Sequence, residues 1–396
     1  MQVKLKTFGS RDVENKKALV RVDFNVPFKN GKVTDDARIR AHSSTIGKLL
    51  DAGAKVALVS HFGRPKGKPV PEMSLGQIVP DVEKAYGKKV HFVDECVGPR
   101  VAAAMEKLPK GDILLLENVR FHAEEQENDA AFAAQLGKAF DVFVMDAFSA
   151  SHRADASTNG IMSVLPSFAG DVLVKEGEML GSVSEHPVKP YVLILGGAKV
   201  SDKIDVVGNL LNEATTILIG GGMAYTFLKA QGHPVGKSLC EADRLDFARE
   251  TLKKAEGMGV KILLPVDSVV ADGLEAKETA VVDSASMPAD KMGLDIGPKT
   301  AKLFAEALTG AKSVLWNGPM GVFENKLFAA GTIAVGEAVV KCTAAGATSV
   351  IGGGDTASAV REFGFEDKVS WVSTGGGASL EYCEGKKLPG MAPLEA

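Results

Sequence analysis

Arginines concentrate in the first half of the chain, close to the points where short apolar runs end. Eight of the eleven arginines lie at or before Arg153. Arg64 comes shortly after the run Lys55–Val59, and Arg120 comes shortly after Ile113–Leu116. The planar, forked guanidinium group suits recognition of carboxylates and phosphates. This pattern predicts a binding site for a small anionic substrate in the first half of the chain.

In the second half, most of the apolar runs end in glycines. The runs there lead into Gly196-Gly197-Ala198-Lys199, Gly220-Gly221-Gly222, Pro265-Val266-Asp267, Asn317-Gly318-Pro319, Gly352-Gly353-Gly354-Asp355-Thr356 and Gly375-Gly376-Gly377. Because glycine has no side chain, backbone N–H groups can approach anionic oxygens closely at such clusters. The pattern indicates a second site, which binds a nucleotide phosphate chain on glycine amides and lysines. Together the two sites point to phosphoryl transfer.

The apolar runs themselves predict the elements that position these residues. They are short and lack polar alternation, which is typical of strands buried on both faces of a parallel sheet, and ligands of such sheets bind beyond the carboxyl ends of the strands. We predict strands at 19–22, 55–59, 113–116, 142–145, 191–195, 216–219, 261–264, 313–316, 348–351 and 369–374. The predicted fold class is α/β, with two Rossmann-like domains, each a parallel sheet flanked by helices.

Length and local pattern predict where the chain divides. A chain of 396 residues fits two or three domains at about 150 residues each. Residues 172–185 carry Leu, Met, Lys and Glu at helical spacing and are followed by Pro187 and Pro190, which indicates a helix and hinge between domains. We expect an amino-terminal domain at 1–171, an interdomain helix at 172–187 and a carboxy-terminal domain at 188–387, with the tail 388–396 packing back on the first domain.

Composition excludes several classes of protein. A hydrophobic content of 45% is typical of a globular chain, and no apolar stretch reaches the length of about 20 residues that a membrane helix needs. The start, from Met1 to Lys6, lacks the apolar segment of a secretory signal. A net charge of −4 argues against a general nucleic-acid binder. The four cysteines lack metal-ligand spacing, so we expect reduced thiols in a cytoplasmic protein. From the net charge and the lengths of the apolar stretches, we expect no membrane or nucleic-acid partner.

Three familiar motifs fit poorly. Residues 232–238 resemble a Walker loop but have one residue too few between the glycines, and they follow a predicted helix rather than a strand. The cluster at Gly196 lacks the third glycine of the dinucleotide-binding turn. The seven histidines show no paired helical spacing, which argues against a zinc site.

Six motifs resemble those of the phosphoglycerate kinase family, in the family's order and across nearly the whole chain. They are Val20-Arg21-Val22-Asp23-Phe24-Asn25-Val26-Pro27, Ser60-His61-Phe62-Gly63-Arg64-Pro65, Gly196-Gly197-Ala198-Lys199-Val200-Ser201-Asp202-Lys203, Trp316-Asn317-Gly318-Pro319-Met320-Gly321-Val322-Phe323-Glu324, Gly352-Gly353-Gly354-Asp355-Thr356 and Ser373-Thr374-Gly375-Gly376-Gly377-Ala378. The resemblance implies reversible phosphoryl transfer from 1,3-bisphosphoglycerate to MgADP, giving 3-phosphoglycerate and MgATP. It further implies direct in-line transfer after domain closure by a cytoplasmic, monomeric enzyme of glycolysis that requires Mg²⁺ and uses ADP or ATP as a substrate.

The resemblance also implies roles for individual residues. The phosphoglycerate would be bound by Asp23, Phe24, Asn25, Arg38, His61, Phe62, Gly63, Arg64, Arg120 and Arg153. The nucleotide would be bound by Lys203, Gly221, Gly222, Gly293, Asn317, Glu324, Gly353, Gly354, Asp355 and Thr356, with Asp355 also holding Mg²⁺. The catalytic groups would be Arg38, Lys199, Gly375 and Gly376.

Physical arguments support the catalytic assignments. A phosphoryl group in transfer spreads negative charge over its oxygens, so the protein must mainly align the reactants and neutralise charge. Arg38 and Lys199 would supply that positive charge, and the amides at Gly375 and Gly376 would face the same oxygens from the start of a predicted helix. Lys199 and Lys203 are four residues apart, and we expect them to share one face of a helix.

One segment departs from the common family pattern, and two other classes of protein remain open. The chain has Ser149, Ala150 and Ser151 where many members have Gly-Thr-Ala, so we expect a local difference in loop shape there. A dinucleotide-dependent dehydrogenase would share the fold class but needs a glycine fingerprint that is not evident. A non-catalytic nucleotide-binding module would keep the glycine clusters, yet Arg38, Lys199 and Asp355 are all present.

Overall fold

The computed structural model describes residues 4–396; Met1 to Val3, which belong to the chain start considered above, lie outside the described residues. The chain divides into two compact units. The amino-terminal unit comprises the described residues up to Glu178 together with Lys387–Ala396, and the carboxy-terminal unit comprises Met179–Lys386. The domain boundaries expected at 171, 187 and 387 stay predictions.

The amino-terminal unit is built on one parallel sheet. Its strands are β1 (Lys17–Arg21), β2 (Phe28–Lys29), β3 (Lys32–Val33), β4 (Lys55–Val59), β5 (Val90–Val93), β6 (Ile113–Leu116), β7 (Val142–Met145) and β8 (Ser167–Ala169). Its helices are α1 (Ser10–Val13), α2 (Ala37–Ala41), α3 (Ser43–Asp51), α4 (Val79–Tyr86), α5 (Pro99–Lys107), α6 (Ala123–Gln126) and α7 (Ala130–Gly137). Six strands pair in the order β5-β6-β4-β1-β7-β8, all parallel, while β2 and β3 form a separate antiparallel hairpin.

Helix α8 (Asp171–Ser184) follows, and the chain passes from one unit to the other within it. The carboxy-terminal unit contains β9 (Tyr191–Leu195), β10 (Thr216–Ile219), β11 (Lys261–Leu263), β12 (Asp267–Ala271), β13 (Ala280–Asp283), β14 (Met292–Ile296), β15 (Ser313–Asn317), β16 (Thr348–Gly352) and β17 (Trp371–Val372). Its helices are α9 (Ile204–Leu210), α10 (Ala224–Ala230), α11 (Leu245–Gly257), α12 (Pro298–Leu308), α13 (Ala330–Ala344), α14 (Gly354–Glu362) and α15 (Gly377–Cys383).

A second six-stranded parallel sheet forms the base of this unit. Its order is β11-β10-β9-β15-β16-β17. A separate antiparallel sheet has the order β13-β12-β14. The predicted α/β class with two parallel sheets flanked by helices is therefore confirmed. Within residues 4–396, none of the helices combines the length and the apolar character needed to cross a membrane.

Burial explains why the apolar runs form central strands. All residues of β6, β7, β9, β10 and β15 are buried, as expected where helices cover both faces of a sheet. Two runs are exceptions, and both lie at the edges of the second sheet: β11 has Lys261 exposed, and in the run at 369–374 only Trp371–Val372 forms a strand, with Ser370 exposed. The predictions that these two runs are doubly buried strands are wrong.

Asp267, in the cluster that follows the run at 261–264, has a structural role. It begins β12 in the separate antiparallel sheet and is fully buried. Its carboxylate accepts hydrogen bonds from the backbone N–H groups of Thr300 and Lys299, at 2.8 and 3.0 Å. Asp267 therefore fixes the start of α12 and is structural.

The last residues of the chain pair with the first described residues. Leu5 and Glu395 form an antiparallel bridge. The N–H of Lys6 donates to the carbonyl of Leu394, and the N–H of Ala396 donates to the carbonyl of Lys4, both at 2.7 Å. These bonds attach the carboxyl-terminal tail to the amino-terminal unit.

Candidate active site

In the amino-terminal unit, the residues expected to bind an anion lie at neighbouring strand ends. Strands β6, β4, β1 and β7 are consecutive in the sheet. Asp23 and Asn25 follow β1, His61 and Arg64 follow β4, Arg120 follows β6, and Arg153 follows β7. Parallel strands present their carboxyl ends at one edge of a sheet, so the fold brings these residues to the same edge. We call this group the arginine site.

Asp23 is a buried acceptor that holds Arg38. One oxygen of its carboxylate, Oδ2, accepts a hydrogen bond from Arg38 at 2.8 Å and another from the hydroxyl of Ser149. The other, Oδ1, accepts from the N–H of Asn25 at 3.0 Å. Burial acts to raise the pKa of Asp23, but the charge of Arg38 and these hydrogen bonds outweigh it and leave the pKa lowered. Asp23 is therefore a carboxylate at neutral pH, and Ser149, which departs from the family pattern, contributes a donor.

Arg21 belongs to this site although the sequence analysis did not select it. It is fully buried, and its Nε donates to the hydroxyl of Ser157 at 2.8 Å. One terminal nitrogen lies 3.1 Å from Nδ1 of His61. Because arginine can only donate, Nδ1 must accept, and the ring proton of His61 lies on Nε2. The signal in the sequence was a charged residue inside the apolar run at 19–22.

His61 remains uncharged in this environment. Burial lowers its pKa well below the ordinary value, and the nearby charges of Arg21 and Arg120 lower it further. A neutral His61 with its proton on Nε2 can donate one hydrogen bond to an anionic oxygen without adding to the positive charge.

Arg120 is buried, and its positive charge is only partly neutralised by its neighbours. It forms an ion pair with Asp155 at 3.7 Å, and one terminal nitrogen donates to the carbonyl of Gly63 at 3.4 Å. Its Nε has no hydrogen-bond partner among residues 4–396. Burial lowers the pKa of Arg120 to about 10, with further lowering by Arg153 and Arg21. Three neighbouring guanidinium groups thus repel one another, and an anion bound between them would relieve that repulsion.

The remaining predicted members differ in how they can reach a ligand. Arg64 is exposed beyond β4. The rings of Phe24 and Phe62 pack in the hydrophobic core, so only their backbone could contact a substrate. The N–H of Gly63 donates to the side-chain oxygen of Asn25 at 2.9 Å, which joins the β1 and β4 ends of the site.

In the carboxy-terminal unit, the glycine clusters line two adjoining cavities. The first has a volume of about 570 Å³, and we call it the phosphate cavity. Its walls include Lys199, Lys203, Asn317, Gly353, Gly354, Asp355, Thr356 and Gly376. The second, of about 330 Å³, we call the apolar slot. Its walls include Gly221, Gly222, Gly293, Glu324 and Asp355, and the two cavities share four residues, Gly197, Ala198, Pro319 and Asp355.

The inner wall of the phosphate cavity carries donors without anionic partners. Lys203 is half-buried, and its ammonium donates to the side-chain oxygen of Asn317. Burial lowers the pKa of Lys203. The Asn317 amide nitrogen is buried and has no hydrogen-bond partner within the described part of the chain. Both groups could donate a hydrogen bond to a phosphate oxygen in the cavity.

The apolar slot requires glycine where the chain approaches other groups closely. A Cβ atom at Gly293 would lie 1.8 Å from the hydroxyl oxygen of Tyr225, and one at Gly221 would lie 2.6 Å from the backbone nitrogen of Gly197. Gly221 also has a φ of +65°, which favours glycine. The slot is lined on its other sides by Met292, Leu294, Ile296 and Val322, so it suits a flat, largely apolar group such as a nucleobase.

Lys199 and Lys203 do not share a helix face, which corrects the expectation from their spacing. Lys199 is exposed in the loop after β9, and Lys203 ends a single 3₁₀ turn, Ser201–Lys203, that precedes α9. The bend between them leaves Lys199 exposed at the phosphate cavity while Lys203 is half-buried in the cavity wall.

Asp355 fits the ligand chemistry of Mg²⁺. It is exposed in the first turn of α14 and lines both cavities. Mg²⁺ typically binds through one or two protein carboxylates together with waters and substrate phosphates, so one carboxylate beside a phosphate cavity is a suitable donor set.

The two predicted catalytic glycines take different positions. Gly376 lines the phosphate cavity, whereas Gly375 is buried and its N–H donates to the hydroxyl of Ser373 at 3.1 Å. The N–H of Gly375 therefore already has an acceptor, and Gly376 is the better placed of the two to contact a phosphate.

The chain is similar to one family of known proteins over almost its whole length. The phosphoglycerate kinase family matches residues 8–386. The chain is 52% identical over 389 residues to phosphoglycerate kinase of Moorella thermoacetica, with 98% of each chain covered. It is 51% identical over 394 residues to that of Chloroherpeton thalassium, with 99% of each chain covered.

Solved structures of phosphoglycerate kinases also match the fold of this chain over nearly its whole length. The structure of phosphoglycerate kinase from Coxiella burnetii superimposes with a TM-score of 0.90 at 40% identity, covering 99% of both chains. That from Pyrococcus horikoshii OT3 superimposes with a TM-score of 0.82 at 32% identity, covering 97% of this chain and 96% of the other. These matches decide against a dehydrogenase. The chain is a member of the phosphoglycerate kinase family.

Proposed function

We propose that this chain catalyses the reversible transfer of the acyl phosphate of 1,3-bisphosphoglycerate to MgADP, which gives 3-phosphoglycerate and MgATP. The observation that carries the proposal is the pairing of two different anion sites in a member of this family. One is a set of mutually repelling arginines, and the other is a phosphate cavity that adjoins an apolar slot.

The arginine site binds the phosphoglycerate. Arg120 and Arg153, with exposed Arg64, neutralise the phosphate group that does not react. His61 donates from Nε2, and Asp23 and Asn25 orient the glycerate through their polar atoms. Arg21 is a positioning residue here, because its contact with Nδ1 fixes the tautomer of His61. This arrangement supports a substrate that carries both a phosphate and a carboxyl group.

The two cavities of the carboxy-terminal unit bind ADP or ATP. The base enters the apolar slot beside Gly221, Gly222 and Gly293, and Glu324 at its rim accepts from the ribose hydroxyls. The phosphate chain lies against Lys203 and Asn317. It also lies against the backbone amides of Gly353, Gly354 and Thr356. Asp355 holds Mg²⁺, which supplies charge neutralisation on the phosphate oxygens.

Arg38 and Lys199 neutralise the phosphoryl group during transfer. The ion pair of Arg38 with Asp23 uses one terminal nitrogen of the guanidinium, so the rest of the group can face an incoming anion. Lys199 is exposed at the phosphate cavity and can approach the same oxygens from the nucleotide side. Gly376 contributes a backbone donor. No nucleophilic side chain is required, because the carboxylate of 3-phosphoglycerate and the β-phosphate of ADP exchange the phosphoryl group directly.

The two reactants are assigned to different units of the chain, so in-line transfer requires that the units close once both ligands are bound. We assign residues 1–171 and the tail 388–396 to the phosphoglycerate domain, 172–187 to the interdomain helix, and 188–387 to the nucleotide domain. We further propose that the enzyme is a cytoplasmic monomer that acts in glycolysis.

A coupled assay tests the proposed function. ATP consumption is followed with 3-phosphoglycerate as the acceptor and with the 1,3-bisphosphoglycerate product removed enzymatically. We expect turnover that depends on both substrates and on Mg²⁺. Nucleotide binding without turnover would instead support the non-catalytic module, and ATP hydrolysis that does not depend on the acceptor would contradict the proposed transfer.

A further inference from the structure

A buried histidine lies directly beneath the arginine site and has no role in the reaction described so far. His42 occupies the turn between α2 and α3 and is 2% exposed. Its Nε2 lies 3.0 Å from the backbone N–H of Asp23, and its Nδ1 lies 2.7 Å from Oδ2 of Asp146. The ring of Phe24 packs against it edge-on at 6.2 Å.

These two contacts fix the protonation pattern of the ring. A backbone N–H can only donate, so Nε2 of His42 must be the acceptor. The single proton of the neutral ring then lies on Nδ1 and donates to the carboxylate of Asp146. If His42 carried the opposite tautomer, an N–H of the ring would face the N–H of Asp23, and Nδ1 without a proton would face a carboxylate. Both contacts would be repulsive.

Asp146 extends the chain of hydrogen bonds away from the site. It follows β7 and is fully buried. Its second oxygen, Oδ1, accepts from the N–H of Val172 in the first turn of α8 at 2.9 Å. A Cβ atom at Gly170 would lie 2.1 Å from this oxygen, so the approach of the chain to the carboxylate depends on glycine. The contacts therefore run from the start of α8 through Asp146 and His42 to the backbone of Asp23.

At its other end this series of hydrogen bonds reaches Asp23, whose carboxylate holds Arg38. The backbone nitrogen of Asp23 is fixed by His42, and its carboxylate is bonded to Arg38 at 2.8 Å and to Ser149. A change in the backbone at Asp23 would therefore move the carboxylate that positions Arg38.

We propose that His42 and Asp146 are a positioning pair for the phosphoglycerate site. They hold the backbone of Asp23, and through it Arg38, in register with the first turn of α8. Neither residue touches the substrate, and both act through Asp23. The inference rests on the proposed function, since it assigns Asp23 and Arg38 to phosphoglycerate binding and catalysis. It goes beyond that function because it adds two residues remote from the reacting atoms.

The kinetic test compares His42→Ala with the conservative variant His42→Gln. Loss of the acceptor for the Asp23 N–H should raise the KM for 3-phosphoglycerate by about tenfold and lower kcat, because a buried donor is left unpaired. The KM for ATP should stay within about twofold of wild type, since the nucleotide is assigned to another unit. His42→Gln offers an amide oxygen at a similar distance and should recover part of the loss.

The matched control is His91→Ala. His91 also contacts an aspartate at 2.7 Å, Asp112, and lies in the same unit on β5, but it has no contact with Asp23 or Arg38. This variant should keep the wild-type KM for both substrates. If His42→Ala keeps the wild-type KM for 3-phosphoglycerate, as His91→Ala does, the pair is structural only and the proposal is overturned, whatever thermal stability His42→Ala has lost.

A spectroscopic test does not depend on activity. Long-range ¹H–¹⁵N correlation spectra of the wild-type chain, assigned by the signal missing from His42→Gln, report which ring nitrogen carries the proton. We expect the proton on Nδ1 of His42. In Asp146→Asn the amide can face the ring with its N–H₂ group, so we expect the proton to move to Nε2 together with the same rise in the KM for 3-phosphoglycerate.

The two experiments separate the failure of each idea. A proton on Nε2 in the wild-type chain overturns the positioning pair whatever the activity. A wild-type chain with the proton on Nδ1 but no kinase activity overturns the proposed function and leaves the geometry of the pair standing. If His42→Ala does not fold, Asp146→Asn and the tautomer of the wild-type ring still decide the question.

Discussion

The two sites of this chain prepare for an anion in opposite ways. In the arginine site several charged side chains are already held by neighbours, as buried Arg21 is by Ser157 and half-buried Arg38 is by Asp23. In the phosphate cavity much of the wall is backbone, and two charged groups, Lys199 and Asp355, are exposed. The arginine site is preorganised, and its arginines repel one another. In the phosphate cavity the charges of Lys199 and Asp355 face solvent until a ligand binds.

This difference predicts how variants should behave. A preorganised site loses catalysis when one of its charges is removed, because the remaining groups cannot move to replace it. An open cavity distributes the loss, because neighbouring donors and solvent can substitute in part. Variants in the two units therefore test whether the contrast between the sites is functional.

The largest effect is expected for Arg38→Ala. The variant removes positive charge next to the phosphoryl group, so kcat should fall by roughly 10³ or more, the scale of an arginine supplied to such a transition state. ADP affinity, measured by calorimetry, should be nearly unchanged. Loss of ADP binding would show that Arg38 has been misassigned, and it would remove the contrast between the two sites.

The two lysines divide binding from catalysis within the phosphate cavity. Lys199→Ala should lower kcat by roughly 10² while ADP affinity changes little, because an exposed lysine at the cavity mouth can engage the group in transfer. Lys203→Ala should weaken ADP binding by about tenfold with a smaller effect on kcat, since Lys203 already contacts Asn317 in the wall. Calorimetric affinities beside steady-state rates distinguish them, and equal losses of both quantities in both variants would contradict the division.

Sequence reasoning succeeded where a residue's position follows from a strand end. Consecutive parallel strands bring the residues that follow them to one edge of the sheet, which is why the two sheets were predicted and why His61 and Arg120 were expected at the same edge. The roles of these two residues stay predictions. Sequence reasoning failed where a role depends on contacts across long sequence separations. His42 and Asp146 are 104 residues apart, and nothing in the local sequence of either indicates the other.

Two further misses have local physical causes. The run at 261–264 is apolar enough for a central strand, but its place at the edge of the sheet is decided by pairing and not by composition. The spacing of Lys199 and Lys203 matches a helix, yet the chain enters α9 through a 3₁₀ turn that begins only at Ser201. The helical period does not apply to Lys199 and Lys203, because both residues precede α9.

Asp355→Asn tests the proposed magnesium ligand at the junction of the two cavities. A neutral amide is a poorer ligand for a hard dication than a carboxylate, so the Mg²⁺ concentration for half-maximal rate should rise by about tenfold. The rate at saturating Mg²⁺ should recover most of its wild-type value, because the substrate phosphates and waters remain as ligands. The measurement is a Mg²⁺ titration at fixed free ADP. A rate that stays low at every Mg²⁺ concentration would mean that Asp355 has another role.

The smallest effect concerns a buried carboxyl group at the apolar slot. Asp295 lines the slot, and burial raises its pKa to about 7, against the opposing effect of hydrogen bonds from the N–H groups of Gly331 and Ile296. In the unfolded chain the same group has its ordinary pKa of 3.8. Between these two values the folded state keeps a proton that the unfolded state has released. The free energy of unfolding should therefore fall as the pH rises through this window, by at most about 1.4 kcal/mol per pH unit, and level off above the folded-state pKa.

Tryptophan fluorescence isolates this effect, because the two tryptophans, Trp316 and Trp371, both lie in the carboxy-terminal unit. Urea unfolding of the wild-type chain from pH 5 to pH 8 should show the decline, and Asp295→Asn, which cannot ionise, should show a flatter profile even if it is less stable throughout. Parallel profiles for the two proteins would show that another group carries the pH dependence. A flattened profile would mean that the carboxy-terminal unit, in which Lys199 and Asp355 are exposed, also buries one acid with a strongly raised pKa at the apolar slot. The difference in charge burial between this unit and the arginine site would then be smaller.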